Sequence, residues 1–198
     1  AHAKKGAVDF DVLRKWVPFI VIGTLIGTVV ADYIPSRGLT GLFGGMALLL
    51  SLHFFFGRPS WKLSEDMPGG VPRIVLGNTI GVLSALMGIG GGVMGVTLMT
   101  LCGKTIHRAV ATAAGFGVAI GIPGALGFII NGWGSNEVPF SLGYVTMPGF
   151  ALPAASAFFV APLGAKLAHA LPEKNLKRFF AMGLAIVGVM LVREAVLG

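Results

Sequence analysis

A glycine-rich stretch at residues 88–95 constrains this chain more than any other feature, because five of its eight residues are glycine. Apolar runs flank the stretch on both sides, from Ile74 to Met87 and from Val93 to Cys102. Each glycine inside a helix costs about 1 kcal/mol relative to alanine, and each run is shorter than the roughly 20 residues that a membrane-spanning helix requires. The pattern therefore predicts two half-helices that meet at an exposed glycine turn.

A broken helix at membrane depth indicates a transport site. Bare backbone is tolerated there only where it is buried in protein or lines a wet cavity, and broken helices mark the binding sites of many transporters. A half-helix that starts near Gly92 would direct its free N–H groups and its positive dipole end into the cavity, which favours an anion. Two alternatives remain. One is a packing seam without a ligand, and the other is a dinucleotide fingerprint, which lacks the strand and the carboxylate that it requires.

The composition assigns the chain to the integral membrane proteins. Of its 198 residues, 55% are hydrophobic and only 12% are charged, whereas soluble domains carry about 25% charged residues. The formal net charge is +7, and in a membrane protein such an excess marks cytoplasmic loops rather than a nucleic-acid site. We therefore expect an all-α, multi-pass protein in contact with a lipid bilayer and without a nucleic-acid partner.

The positive charges favour a re-entrant hairpin at residues 73–102. Apolar segments predict full spans at about 16–33, 39–56, 107–130 and 141–163, and a last span that ends near Val196. If the hairpin region crossed the membrane once, the loop 131–140, which has no Lys or Arg, would lie inside and the basic residues of 166–178 would lie outside. This arrangement inverts the positive-inside rule. A hairpin that enters and returns restores every loop to its expected side, with the N-terminus in the cytoplasm.

An internal repeat supports an inverted-repeat helical bundle with a re-entrant broken helix. At an offset of 137 residues, the matching pairs are Gly27 with Gly164, Ala31 with Ala168, Pro35 with Pro172, Leu39 with Leu176 and Phe43 with Phe180. We assign 1–56 to the end of a first repeat, 57–72 to a cytoplasmic loop and 73–198 to a second repeat. The partner of the glycine hairpin would precede residue 1. We therefore expect either a fragment of a longer protein or a chain that has lost half of its pseudo-symmetric site.

Two motifs resemble the TauE/SafE sulfite exporter family. They are Gly81-Val-Leu-Ser84-Ala-Leu-Met-Gly88-Ile-Gly-Gly-Gly92 and, further on, His107-x-Ala109-x-x-Thr112. The segment from Ala161 to Pro172 is similar to the C-terminal half of that family. The resemblance implies two related halves, each with a glycine cluster, and transport of sulfite and small organosulfur anions across the bacterial inner membrane. This chain departs from the family pattern, since it lacks the N-terminal cluster and has Val96-Thr97 where a proline is common.

The candidate substrate-binding residues lie on and around the glycine turn. They are the backbone donors Gly88, Gly90, Gly91 and Gly92, the hydroxyl donors Ser84, Thr97 and Thr112, and the amide of Asn78. Serine and threonine in membrane helices often bond to their own helix carbonyls instead, and an intramembrane asparagine can clasp two helices together. Lys104, His107 and Arg108 could attract anions at the cytoplasmic mouth or serve as ordinary positive-inside anchors.

The sequence predicts a permease that moves small anions by secondary transport. No metal-ligand cluster, nucleophilic triad or carboxylate pair is present in the sequence, so we expect neither an enzyme nor a metal or other cofactor. The alternative of a different class is a membrane-embedded accessory or assembly subunit without transport of its own. Two copies could pair as a homodimer.

Overall fold

The computed structural model of the protein describes residues 8–56, 64–134 and 139–197. These residues form the helices α1 (Phe10–Ala31), α2 (Ser36–Phe56), α3 (Gly70–Met87), α4 (Gly92–Leu101), α5 (Ile106–Asn131), α6 (Met147–Ala170) and α7 (Glu173–Leu197). A short antiparallel hairpin of β1 (Ser141–Leu142) and β2 (Val145–Thr146) precedes α6. Within the described part of the chain, six helices are long and apolar enough to cross a membrane, and α4 is the shorter apolar helix. The all-α, polytopic architecture is confirmed.

Helices α1, α3 and α5 run in the same direction. Facing pairs, in order along α1, are Leu13 with Gly115, Phe19 with Gly77, Gly27 with Ala85 and Thr28 with Gly127. Residue numbers rise together on α1 and on each partner helix, so all three helices begin at one end of the bundle, which we call the basal end. We call the opposite end the distal end. Glycine on one side of each contact lets the helix backbones approach closely, as is common between membrane helices.

Helix α4 carries the chain back to the basal end. Ile120 of α5 lies beside Gly91, whereas Ala113 lies beside Gly95, so α4 runs antiparallel to α5. Because α3 and α5 both begin at the basal end, the segment between them must enter the bundle and return. This register agrees with the re-entrant hairpin that the positive charges predict.

The two ends of the hairpin also contact each other. Lys104, directly after α4, pairs with Asp66, which precedes α3, at 2.8 Å between Nζ and Oδ1. Gly103 has φ +73° and packs so tightly that a Cβ there would lie 3.1 Å from the carbonyl oxygen of Glu65. A side chain at Gly103 is thus excluded both by the left-handed backbone and by the loop that leads into α3.

Helices α2 and α7 form an antiparallel pair. Gly44 faces Val192, and Leu48 faces Gly188. At the distal end, the Nε–H group of Arg37 donates a hydrogen bond of 3.1 Å to the carbonyl oxygen of Ala195. Helix α7 therefore ends at the distal end, opposite to the end where α1 begins.

The corners at the two copies of the internal repeat lie at opposite ends of the bundle. The corner between α1 and α2 is distal, because α1 begins at the basal end. The corner between α6 and α7 is basal, where the carbonyl oxygen of Leu171 lies 3.3 Å from His107 Nε2 at the start of α5. This arrangement is what an inverted repeat requires. The division into repeats at 1–56 and 73–198 stays a prediction, and residues 57–63 of the predicted loop lie outside the described residues.

Two helices begin earlier than the hydropathy pattern predicts. Helix α1 begins at Phe10 rather than near Trp16, because the carboxylate of Asp9 accepts a hydrogen bond from the Val12 N–H group at 3.2 Å and caps the helix. Helix α3 begins at Gly70, and its Pro72 is tolerated because the first turn of a helix needs no intrahelical N–H donor.

With 18 residues, α3 is long enough to cross a membrane. The prediction that both arms of the hairpin are too short to cross is therefore wrong for the first arm.

The segment before α6 also differs from the prediction. A span was expected from Ser141, but residues 141–146 form the strand hairpin and α6 begins at Met147. Phe140, with φ +60°, directs the chain into this hairpin, and its carbonyl oxygen accepts a hydrogen bond of 2.9 Å from the Met147 N–H group. Apolar content alone does not distinguish such a two-residue strand from the first turn of a span.

Candidate functional site

The glycine turn contains three left-handed residues in four positions. Helix α3 ends at Gly88 with φ +65°, and Gly90 and Gly91 follow with φ +67° and +69°. This backbone conformation costs other L-residues roughly 1–2 kcal/mol each. The local sequence therefore breaks the helix here because glycine is the residue that adopts this path without strain.

The turn lies near mid-height of α5. Gly91 is beside Ile120, and a Cβ on Gly117 would lie 3.3 Å from the carbonyl oxygen of Gly90. Gly117 and Ile120 are in the central part of the 26-residue α5. Ala85, just before the turn, lies beside Gly27 in the distal half of α1, so the turn is inside the bundle, between the middle of α5 and the distal part of α1.

Helix α4 begins in the turn, and no side chain caps its N-terminus. Gly91 is its N-cap residue and offers no capping side chain, and the Gly95 N–H group is bonded to the carbonyl oxygen of Gly91 at 2.8 Å. The N–H groups before Gly95 have no acceptor within the helix. These groups, together with the helix dipole, favour a negative charge at the turn.

Ser84 brings an unpartnered hydroxyl to the same place. Ser84 is 1% exposed, and its Oγ atom is buried without a hydrogen-bond partner in the part of the chain that the structure describes. The Oγ atom lies 3.4 Å from the position that a Cβ on Gly91 would occupy. A buried hydroxyl without a partner costs about 1–3 kcal/mol. The Ser84 hydroxyl is therefore a hydrogen-bond donor beside the N-terminus of α4 that a bound ligand could use.

The glycines around the turn leave open space. A Cβ added at Gly88, Gly90 or Gly92 would meet no atom within 4 Å. Gly91, in contrast, is buried, and a Cβ there would collide with Cδ1 of Ile120. One side of the turn therefore has room for additional atoms, and the other side is packed against α5.

The structure brings together Ser84 and the four glycines, but it gives the other predicted ligands partners of their own. Thr97 donates to the carbonyl oxygen of Val93 at 2.9 Å, and Asn78 donates to that of Ile74 at 2.8 Å. These are bonds within their own helices. The hydroxyl oxygen of Thr112 accepts a hydrogen bond of 2.9 Å from the Asp9 N–H group, far from the turn. The assignment of all eight residues as ligands stays a prediction.

Two of the cations that were predicted to attract anions are paired at the basal end. Lys104 binds Asp66, and the guanidinium of Arg108 lies 3.0 Å from the carboxylate of Asp9. The hydrogen bond and the charge of Lys104 hold the pKa of the Asp66 carboxyl below its ordinary value. The first contact joins the loop before α3 to the segment between α4 and α5, and the second joins the start of α1 to the first turn of α5, so both cations have a structural role.

A cation that sequence reasoning left in a loop lines a basal cavity instead. Arg73 is in the first turn of α3 and lines a cavity of about 250 Å³ between the starts of α1 and α3. Its Nε atom is buried and has no hydrogen-bond partner among the described residues, and its guanidinium lies 5.7 Å from the centre of the Phe19 ring. The signal in the sequence was a lone arginine at the edge of an apolar arm, which resembles any positive-inside anchor.

Comparison with known proteins gives one family and several related transporters. The family described as sulfite exporter TauE/SafE matches residues 1–191. A probable membrane transporter protein of Haemophilus influenzae is 28% identical over 189 residues, which cover 95% of this chain and 72% of the relative. A probable membrane transporter protein of Methanocaldococcus jannaschii is 24% identical over 185 residues, which cover 90% of this chain and 68% of the relative. No solved structure matches the chain.

A further relative is the probable membrane transporter protein MamO of Magnetospirillum gryphiswaldense. It is 29% identical over 229 aligned positions, which cover 96% of this chain and 35% of the relative. The relatives share the class of membrane transporter, and the long apolar helices of the fold suit that class. Since the family match extends over nearly the whole sequence, this membrane transporter belongs to the TauE/SafE sulfite exporter family.

Proposed function

We propose that this protein is a permease for small anions of the sulfite and organosulfonate class, with its binding site at the glycine turn. The observation that carries the proposal is the buried hydroxyl of Ser84, which has no partner and lies beside Gly91 at the N-terminus of α4. A sulfite or sulfonate oxygen at the turn would accept hydrogen bonds from this hydroxyl and from the first N–H groups of α4. It would also meet the positive end of the helix dipole.

The charge distribution supports an anion rather than a cation. Helices α3, α4 and α5, which surround the turn, contain no Asp or Glu residue. Binding a metal cation or an ammonium group at membrane depth requires carboxylates or converging carbonyl groups. The turn offers instead three left-handed glycines and a helix N-terminus, which present N–H groups.

The basic residues support an orientation in the bacterial inner membrane with the basal end in the cytoplasm. The described Lys and Arg residues near the basal end are Arg14, Lys15, Arg73, Lys104, Arg108, Lys166, Lys174, Lys177 and Arg178. Those near the distal end are Arg37 and Arg193. This asymmetry is the one that the positive-inside rule associates with a cytoplasmic face.

We extend the proposal to secondary transport and to a homodimer, in which each copy contributes a glycine turn.

Anion flux into proteoliposomes tests the proposal. The full natural protein should carry sulfite and methanesulfonate, and Ser84→Ala should reduce the flux by about tenfold, as expected for the loss of one hydrogen bond to a charged ligand. Ser51→Ala is the matched control, since Ser51 is also a buried helical serine but donates to the carbonyl oxygen of Ala181 in the α2–α7 pair. Flux of cations or neutral solutes, with no response to either anion, would refute the proposal. No flux of any solute would favour the accessory subunit.

A further inference from the structure

We propose that the basal cavity is a second anion site, in which Arg73 receives small oxyanions before they reach the glycine turn. The cavity has a volume of about 250 Å³ and lies between the first turns of α1 and α3 and Lys104, three residues after the end of α4. This volume accommodates a small oxyanion together with several water molecules. The inference deepens the proposed function, since it assigns an entrance station for the same class of ligand.

The carboxylates around the cavity are already neutralised by other cations. Lys15 pairs with Asp11 at 2.8 Å, and Lys104 pairs with Asp66 at 2.8 Å. The third carboxylate, that of Asp9, is paired with a cation outside the cavity lining. The three acidic side chains therefore do not satisfy Arg73, although they share the cavity with it.

Arg73 is left as a cation without a carboxylate. In the described ranges 8–56, 64–134 and 139–197, no ion pair joins Arg73 to an acidic residue, and its buried Nε atom has no hydrogen-bond partner. The ring of Phe19 supports one side of the guanidinium and thereby restricts its orientation. A buried N–H donor of a charged group without an acceptor is costly, and an oxyanion in the cavity would remove this cost.

The N-terminus of α3 adds to the positive potential of the cavity. Pro68 and Gly69 line the cavity together with Arg73, and Gly69 is the N-cap residue of α3 without a side-chain cap. The positive end of the α3 dipole is therefore directed at the same space as the guanidinium. A guanidinium binds sulfonate or sulfite oxygens through parallel N–H groups, so small oxyanions match this site better than a cation or a neutral solute.

Quenching of Trp16 fluorescence by iodide tests the site directly. Trp16 is 1% exposed and lines the cavity, so an iodide ion bound there would quench it. The probe protein is the full natural chain with Trp61 and Trp133 replaced by Phe, in detergent micelles. We expect saturable quenching by iodide that methanesulfonate reverses. Arg73→Gln should weaken the binding of iodide by about tenfold or more, as for loss of a charge-assisted hydrogen bond, and Arg73→Lys should restore part of it.

The matched control is Arg37→Gln, which removes a cation at the distal end and should leave the quenching unchanged. A thermal unfolding scan of each variant verifies that it is folded, and Arg73→Lys provides a charged variant if Arg73→Gln fails to fold. Quenching that is linear in iodide, or equal in Arg73→Gln and the parent, would overturn the inference. Because the assay measures binding without flux, saturable quenching in a protein that moves no anion would refute the proposed function and leave the basal site standing.

Discussion

The ammonium group of Lys104 lies 2.8 Å from the carboxylate of Asp66, although the two residues are 38 positions apart in the chain. Lys104 follows the short helix α4, and Asp66 precedes the long helix α3. The contact therefore closes the base of the broken-helix hairpin. Together with the antiparallel packing of α4 on α5, it fixes the entrance and the exit of the hairpin at one end of the bundle, with the glycine turn between them inside the bundle.

Cysteine labelling should locate both ends of the hairpin on one side of the membrane. In a Cys102→Ser background, we expect Glu65→Cys and Thr105→Cys to react with an impermeant maleimide from the same side. Trp133→Cys, after α5, should react from the opposite side because it is 74% exposed and distal. Reaction of Thr105→Cys from the side of Trp133→Cys would show that the segment crosses the membrane once.

The ion pair between Lys104 and Asp66 should make stability depend on acid pH. The pKa of Asp66 is lowered in the folded protein, so the contribution of the pair is present above the unfolded pKa of about 3.9 and is lost as the pH falls through the folded pKa. Asp66→Asn should therefore lower the Tm slightly at pH 7, and this effect should diminish as the pH falls below about 3.9 and vanish below the folded pKa of Asp66. Glu65→Gln, which changes an adjacent exposed carboxylate, is the control. A Tm difference for Asp66→Asn that persists in acid would contradict the ion-pair explanation.

Gly91 should tolerate no side chain, for two separable reasons. Gly91 has φ +69°, so Gly91→Ala forces an alanine into a left-handed conformation. The new Cβ also collides with Cδ1 of Ile120. We expect a loss of about 1–3 kcal/mol in the free energy of unfolding and loss of flux, and Gly91→Leu should abolish flux completely. Ile120→Ala should relieve the collision but not the backbone strain, so Gly91→Ala should cost less stability in an Ile120→Ala background than in the parent, although Ile120→Ala is itself destabilising because Ile120 is buried.

Gly121→Ala is the control for this prediction. Gly121 lies inside α5, and a Cβ there meets no atom within 4 Å, so alanine should be neutral or should stabilise the helix by up to about 1 kcal/mol. Equal losses at Gly91 and Gly121 would indicate that the region is merely sensitive to substitution and that the geometry of the turn is irrelevant.

The sequence was sufficient to predict the broken helix, because its cause is local. Left-handed backbone at Gly88, Gly90 and Gly91 follows from residue type, and the return of α4 follows from the positive charges in the loops. The partners of polar groups are different, since they depend on which helices become neighbours. The bonds of Thr112 to Asp9 and of Lys104 to Asp66 join residues 103 and 38 positions apart, and no local pattern specifies such pairs.

Arg73 is a second case in which the sequence alone does not show the surroundings of a polar side chain. Its neighbours in sequence identify it as a basic residue at the start of an apolar arm, which fits a membrane anchor. Among the residues that the structure describes it has no carboxylate partner, and this becomes apparent only when the ion pairs at the starts of α1, α3 and α5 are known. The absence of a partner in the fold, rather than the presence of a motif, distinguishes this side chain from an ordinary anchor.

Ser84→Ala should separate stability from function. Among the described residues the buried hydroxyl of Ser84 has no hydrogen-bond partner, so its removal should leave the free energy of unfolding unchanged or raise it by up to about 1–3 kcal/mol. The same variant should bind methanesulfonate more weakly, because a ligand at the turn loses one donor. Ser51→Ala should do the opposite, since it breaks an existing bond to the Ala181 carbonyl oxygen and should lower stability by about 1 kcal/mol without altering affinity. Unfolding scans with and without methanesulfonate measure both quantities. If Ser84→Ala lowers stability as Ser51→Ala does and keeps the full stabilisation by methanesulfonate, then the Ser84 hydroxyl serves packing, and the binding site at the glycine turn must be abandoned.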